Sequence, residues 1–238
     1  MNGKERVTID QNGYTLSRSL ESPSDDGHVI YSEATYDLTL FSSVDGGSIE
    51  GGKATNGGAI YIQKGSKVTA QNVIFRNNSA ADHAGAIWNN GEFTATNCTF
   101  ENNTAYDVGA IYNSVTENGA GKATLTNCTF TGNTGTMGVG ALANAVGNTE
   151  MTIDGCTITG NTGYSRGGGI WNGGTLNMQG KVKVTGNKKT GHAASNVFLK
   201  SGTLIYVTGS LDGSSIGVEM ESTSGGTFTS GYPSSIVR

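Results

Sequence analysis

Residues 93–103 read Phe-Thr-Ala-Thr-Asn-Cys-Thr-Phe-Glu-Asn-Asn, and residues 123–133 read Ala-Thr-Leu-Thr-Asn-Cys-Thr-Phe-Thr-Gly-Asn. Within each stretch apolar residues alternate with Thr or charge, the period of two that belongs to strands. No part of the chain sustains the i, i+3, i+4, i+7 spacing of a helix. Outward from these two stretches a pair of motifs recurs. The first is small-Gly-small-aliphatic and ends at Ile60, Ile87, Ile111, Leu142 and Ile170, spaced by 27, 24, 31 and 28 residues. The second is apolar-x-x-Asn and ends at Asn78, Asn103, Asn133, Asn161 and Asn187, spaced by 25, 30, 28 and 26. The two motifs alternate without exchange. A unit of this size with three very short strands cannot bury its own apolar side, but it can when stacked on like neighbours. The fold class expected is therefore all-β, a parallel β-helix (solenoid) of about eight coils, with like residues ~4.8 Å apart along the axis.

Each feature of the repeat then has a place. Phe100, Phe130 and Ile158 point inward as an apolar stack. Asn78, Asn103, Asn133, Asn161 and Asn187 occupy one corner, where Asn tolerates a left-handed backbone and its amide can bond along the stack. Glycines let coils pass closely at a second corner. Cys98, Cys128 and Cys156 recur at one position and read as a column of buried thiols behaving as small hydrophobes. A disulfide is the alternative, although in-register Cβ vectors suit its dihedral poorly.

Composition supports this reading. Glycine supplies 38 of 238 residues and proline only 2, with 14% charged residues, which disfavours both a collagen-like and a disordered chain. A net charge of −4 argues against nucleic acid as a partner, since phosphate binding needs clustered Lys and Arg. No apolar run approaches the ~20 residues of a membrane span, and the opening residues carry no signal peptide. Residues 1–56 read as N-terminal coils and cap, 57–192 as the regular repeats, and 193–238 as C-terminal coils and a tail that ends without a cap. The expectation is a piece of a longer exported protein.

The paired motifs Gly57-Gly58-Ala59-Ile60 and Phe75…Asn78, with their later copies, resemble the repeats of polymorphic outer-membrane proteins, which are bacterial surface adhesins. The resemblance is strong over about Gly57 to Asn187. It implies a right-handed helix, an extracellular or bacterial cell-surface location, and a non-catalytic adhesin segment. Such a segment would present stacked loops to a host or environmental glycan or surface protein, or serve as a stalk. Outer-membrane and cell-wall anchoring of the parent both stay open.

Stacking turns variable positions into rows. One row lies between the Asn corner and the Gly motif, in a segment expected to be a loop. It holds Asp82-His83, Tyr106-Asp107, Thr136-Met137, Tyr164-Ser165-Arg166, and Lys188-Lys189 with His192. This gathering of acids, histidines, tyrosines and an arginine is the main candidate ligand site, against the plainer reading of a solvated loop edge. A second row, Tyr61, Trp88, Tyr112, Ala143 and Trp171, should point outward. Its rings could stack on sugars, or be buried as rim packing under loops such as Ser114–Gly121. A third row, Thr99, Thr129 and Thr157, is a short array that Ile74 and Lys183 interrupt. β-Propensity explains it better than ice binding does.

No catalytic residue is assigned. There is no Ser/His/Asp motif, phosphate loop, metal-spaced Cys/His set or Ca²⁺-binding nonapeptide, so neither a cofactor nor a metal is expected. A polysaccharide lyase or glycoside hydrolase using the Asp82/Asp107/Arg166/His192 row is the alternative, since this fold hosts such enzymes. A passive structural spacer is the third reading.

Overall fold

The computed structural model describes residues 5–116, 119–191, 194–222 and 227–231. Over these residues the chain is all-β and winds into a parallel solenoid of about eight turns. Each regular turn contributes one strand to each of four sheets, one more strand than the sequence predicts. In the turn holding the first quoted stretch these are Glu92–Thr96, Thr99–Glu101, Thr104–Ala105 and Ile111–Asn113. The four sheets, here called long, Phe, short and Ile, contain nine, eight, six and eight strands. Every strand in them pairs in parallel with its counterparts one turn before and after. The extra strand is that of the short sheet, which occupies the segment expected to be a loop. In the preceding turn it runs from Ser79 to His83.

The Phe sheet has the expected register. Ile74, Thr99, Thr129, Thr157 and Lys183 align on its surface, while Phe75, Phe100, Phe130, Ile158 and Val184 align inside. The Phe100 ring lies 4.7 Å from Phe75 and 4.6 Å from Phe130, with interplanar angles of 8° and 5°. All five inward residues are fully buried. The core is one continuous apolar column, to which the long sheet adds Val68, Phe93, Ala123, Met151 and Leu176.

The Asn corner divides its labour between two adjacent positions. Asn77 and Asn102 hold φ of 54°, and Gly132, Gly160 and Gly186 take over that left-handed role in later turns. The next residue in each turn, the one singled out in the sequence, is not left-handed. It forms an amide ladder instead. Asn78 Nδ2 donates to Asn103 Oδ1 at 3.1 Å, Asn103 to Asn133 at 3.0 Å, and Asn133 to Asn161 and Asn161 to Asn187 at 2.9 Å. Each ladder oxygen also accepts the backbone N–H of the preceding member, as in Asn103 N to Asn133 Oδ1. Buried polar groups are tolerated when satisfied in this way.

A second, unforeseen ladder runs along the Ile sheet. Asn89, Asn113, Asn144 and Asn172 are fully buried and linked Nδ2 to Oδ1 at 2.8 Å throughout. The glycines behave as expected at the entrance to this sheet. A Cβ on Gly109 would run into the Gly140 carbonyl, and one on Gly140 into that of Gly168. The three cysteines are buried and free, so the thiol column holds and the disulfide alternative does not. The Cys156 thiol donates to the Leu125 carbonyl at 3.3 Å.

The outer face of the long sheet carries a longer threonine row than the one noticed in the sequence. Thr8, Thr39, Thr69, Thr94, Thr124 and Thr152 are in register. Beside it Asp37, Lys67, Glu92, Lys122 and Glu150 alternate in sign, with Lys67–Glu92 at 3.6 Å and Lys122–Glu150 at 3.2 Å. Opposite charges on facing strands stabilise the pairing modestly. The long 31-residue repeat is explained by a small antiparallel hairpin of Val115–Thr116 with Gly119–Ala120.

Candidate functional site

The short sheet and the turn that follows it position the charged row. Asp82 and His83 end the strand Ser79–His83, in which His83 pairs with Asn56 and Asp82 lies in an irregularity of the register. The backbone N–H of Asp107 donates to the Asp82 carbonyl at 2.8 Å, which brings the next turn's carboxylate alongside. His83 then lies between two acids. Its Nδ1 is 3.2 Å from Asp107 Oδ2 and its Nε2 is 3.5 Å from Asp82 Oδ2. The Arg166 guanidinium reaches the same Asp107 oxygen at 3.7 Å and lies over the Trp171 ring at 5.3 Å. Asp107 is thus the hub, and its side chain is only 16% exposed.

Aromatic rings form the floor. The His83 imidazole packs at 5.3 Å from Trp88 and 5.1 Å from Tyr112, and those two rings meet edge-on at 5.0 Å. Burial and the nearby Asp107 carboxylate raise the Tyr112 phenol above its ordinary pKa. Asp82, His83, Trp88, Asp107, Arg166 and Trp171 therefore belong to one assembly. Tyr106 and Tyr164 stand at its edge, about half exposed, with Met137 between them. Their loops are stitched together: Met137 N donates to Tyr106 O at 2.7 Å, and Tyr164 N to Gly138 O at 2.8 Å. Lys189 is not part of the assembly. Its ammonium pairs with Glu219 at 2.9 Å and lies over Phe198. His192 lies outside the described residues.

The aromatic row is longer than the sequence reading made it. Tyr31, Tyr61, Trp88, Tyr112, Ala143, Trp171 and Phe198 share one register on the Ile sheet. Tyr31 and Phe198 were legible by the same rule, because each follows an inward aliphatic residue. The rings stack mainly on one another. Tyr31 and Tyr61 are 5.2 Å apart at 12°, and Tyr61 and Trp88 are 6.1 Å apart at 11°. The sides of Tyr31, Tyr61 and Trp88 that face one another are thereby taken up within the row. Of the row only Ala143 and Trp171 are buried, in a cluster with Val108 and Val139, while Tyr61, Trp88, Tyr112 and Phe198 are half-buried and Tyr31 is exposed. Within the Ser114–Gly121 segment, Gly119 lies against the Lys64 side chain.

Chemically, the assembly is a closed charge network with an exposed aromatic rim. Both nearby carboxylates address the His83 imidazole, and Asp107 alone also meets the Arg166 guanidinium. Among the described residues no three His, Cys, Asp or Glu side chains group so as to hold a metal ion. No helix among them is long and apolar enough to cross a membrane.

A family model described as the Chlamydia polymorphic membrane protein repeat matches residues 72–90. No curated protein and no solved structure matches the chain. The matched segment carries Phe75, Asn78, Gly85-Ala86-Ile87 and Asn89, which are the core, ladder and close-approach positions of one turn, together with Asp82, His83 and Trp88. The chain is a repetitive parallel β-helix protein that carries a repeat of the polymorphic membrane protein type.

Proposed function

We propose that this chain is a non-catalytic segment of a bacterial cell-surface adhesin, and that it recognises a glycan or surface protein through the Tyr106–Met137–Tyr164 rim. The supporting observation is the exposure of these three large side chains on consecutive turns, beside the Asp107–Arg166–His83 network. Single exposed apolar residues are ordinary on a protein surface, but a contiguous set on fixed backbone suits recognition. The network holds the loops in place, and the polymorphic membrane protein repeat supports the surface assignment.

The test is binding of the purified chain to a panel of glycans and extracellular-matrix proteins. A hit should weaken at least about tenfold when Tyr106, Tyr164 and Arg166 are all changed to Ala, with the far-ultraviolet circular dichroism unchanged. Retained affinity in that variant overturns the assignment of the rim. Degradation of pectin, alginate or a glycosaminoglycan would overturn the non-catalytic reading.

A further inference from the structure

The N-terminal end of the aromatic row opens into a cleft of about 560 Å³, which none of Tyr106, Met137 and Tyr164 lines. One wall is the Tyr31 ring, 47% exposed and stacked on Tyr61. His28 packs against both rings at 5.6 and 5.3 Å and is itself buried. Its Nδ1 lies 3.1 Å from the Gly57 carbonyl, which fixes the imidazole as part of the frame. The other lining groups that carry charge are Asp25, Asp26 and Glu33, and no Lys or Arg lines the cleft. Asp25 accepts the Thr55 hydroxyl at 2.6 Å, while Asp26 and Glu33 form no ion pair among the described residues. Burial keeps the His28 imidazole below its ordinary pKa, so the frame does not supply the missing positive charge near neutral pH.

We propose that this cleft is a binding site for an organic cation, the ammonium or guanidinium of a Lys or Arg side chain on a peptide or protein, or a free amine of the same chemistry. A cation over an aromatic face gains from the ring quadrupole, and carboxylates beside it add direct charge pairing. The cleft offers both kinds of group. Tyr31 and Tyr61 line it on one side, Tyr61 with its faces already against Tyr31 and Trp88, so the cation face on offer is that of Tyr31. Three carboxylates, none in an ion pair among the described residues, line the rest, and the Arg18 guanidinium behind the frame is tied to the His28 carbonyl at 2.8 Å. Tyr31 is where the ring row ends, so its outer face is not covered by a further ring of the stack.

The experiment is isothermal titration with hexa-lysine and hexa-arginine peptides, with n-butylamine as the free amine and hexa-glutamate as the control. The basic peptides should bind and hexa-glutamate should not. Binding of n-butylamine as well assigns the site to free amines and peptides alike, and binding of peptides alone assigns it to side chains on a partner. Because the whole chain is acidic, two variants separate the cleft from general attraction. Tyr31→Leu leaves the net charge unchanged and should weaken cation binding about threefold to tenfold. Asp26→Asn with Glu33→Gln should weaken it at least tenfold, whereas neutralising the distant Asp45 and Asp212 should leave it within about twofold. Equal affinity in wild type and Tyr31→Leu, or no binding of any cation at 10-fold the concentration at which these effects are sought, about 10 mM, overturns the proposal. Neither outcome bears on the rim, whose variants touch none of these residues.

Discussion

Two neighbouring asparagines provide a sharp test of what holds the corner. Asn102 and Asn103 are identical in chemistry and adjacent in sequence. Asn102 is exposed, sits at φ 54°, and is followed one turn later by Gly132 in the same role. Replacing it by Gly should change stability by no more than about 0.5 kcal/mol, because Gly adopts that backbone without steric cost. Asn103 is fully buried. Its Nδ2 donates to Asn133 Oδ1 at 3.0 Å and to the Phe75 carbonyl at 2.9 Å, and its Oδ1 accepts both the backbone N–H and Nδ2 of Asn78 at 3.1 Å. Asn103→Ala removes all of these bonds at about 1 kcal/mol each and leaves the Asn78 N–H without its acceptor. The loss should be about 4 kcal/mol, or roughly 8–16 °C in Tm for a chain of this size. The assay is urea unfolding followed by circular dichroism and by the fluorescence of Trp88 and Trp171, one before and one after the altered turn. Coincident transitions would show that the turns unfold as a unit, as nearest-neighbour stacking requires. A loss below about 1.5 kcal/mol for Asn103→Ala, or an equal loss for Asn102→Gly, would refute the division of labour between the two positions.

Three further outcomes follow from other parts of the core. Phe100→Ala empties the centre of the ring stack between Phe75 and Phe130 and should cost about 3–5 kcal/mol in the same urea assay. Phe130→Ile should cost less, since Ile158 already fills that position one turn on. Burial holds the folded pKa of His28 below its unfolded value. The unfolded chain therefore takes up the proton first, and stability should be full above about pH 6.5 and decline as pH falls through that value towards the folded pKa. A Tm slope between pH 7 and 5 that persists unchanged in His28→Phe would contradict this. Hydrogen bonding to Cys156 and burial push the Cys128 thiol up to about 12, and all three cysteines are buried. A thiol reagent at pH 8 should label native protein no faster than it unfolds and should label three thiols in denaturant. Rapid labelling of the folded chain would count against the buried column.

The turn period, the inward Phe column and the closeness of Asp82, Asp107 and Arg166 were all legible, because a repeat of fixed order converts sequence spacing into neighbourhood. The missed features arise where period alone is silent. In Asn102-Asn103 the sequence shows a pair, and nothing in it says which member takes the left-handed backbone. The ladder of Asn89, Asn113, Asn144 and Asn172 was legible in principle, since each lies two residues after an inward aliphatic and must point inward too. An amide inside an apolar column is costly alone and becomes favourable only when every turn supplies one. That is a collective property, invisible in any single repeat. The plane of the aromatic rings was not legible at all. Register fixes which rings are neighbours, while the packing of His83, Val108 and Val139 decides which of their faces remain open.

The ring geometry bears on where a solenoid can recognise anything. Along a regular row each side chain meets its own kind or its complement one turn away. The amides of Asn78 to Asn187 saturate each other, the charges from Lys67 to Glu150 pair off, and the rings from Tyr31 to Trp88 cover each other's faces. Such rows stabilise the stack and thereby lose their capacity to bind. Unspent capacity is left where a row breaks or ends. Ala143 breaks the ring row between Tyr112 and Trp171, and there Arg166 bridges Trp171 to Asp107 under the exposed Tyr106–Met137–Tyr164 rim. Tyr31 ends the row, and there a ring and three carboxylates share a cleft. Both proposed sites lie at interruptions of the repeat, because regularity satisfies the side chains that a ligand would otherwise need to meet.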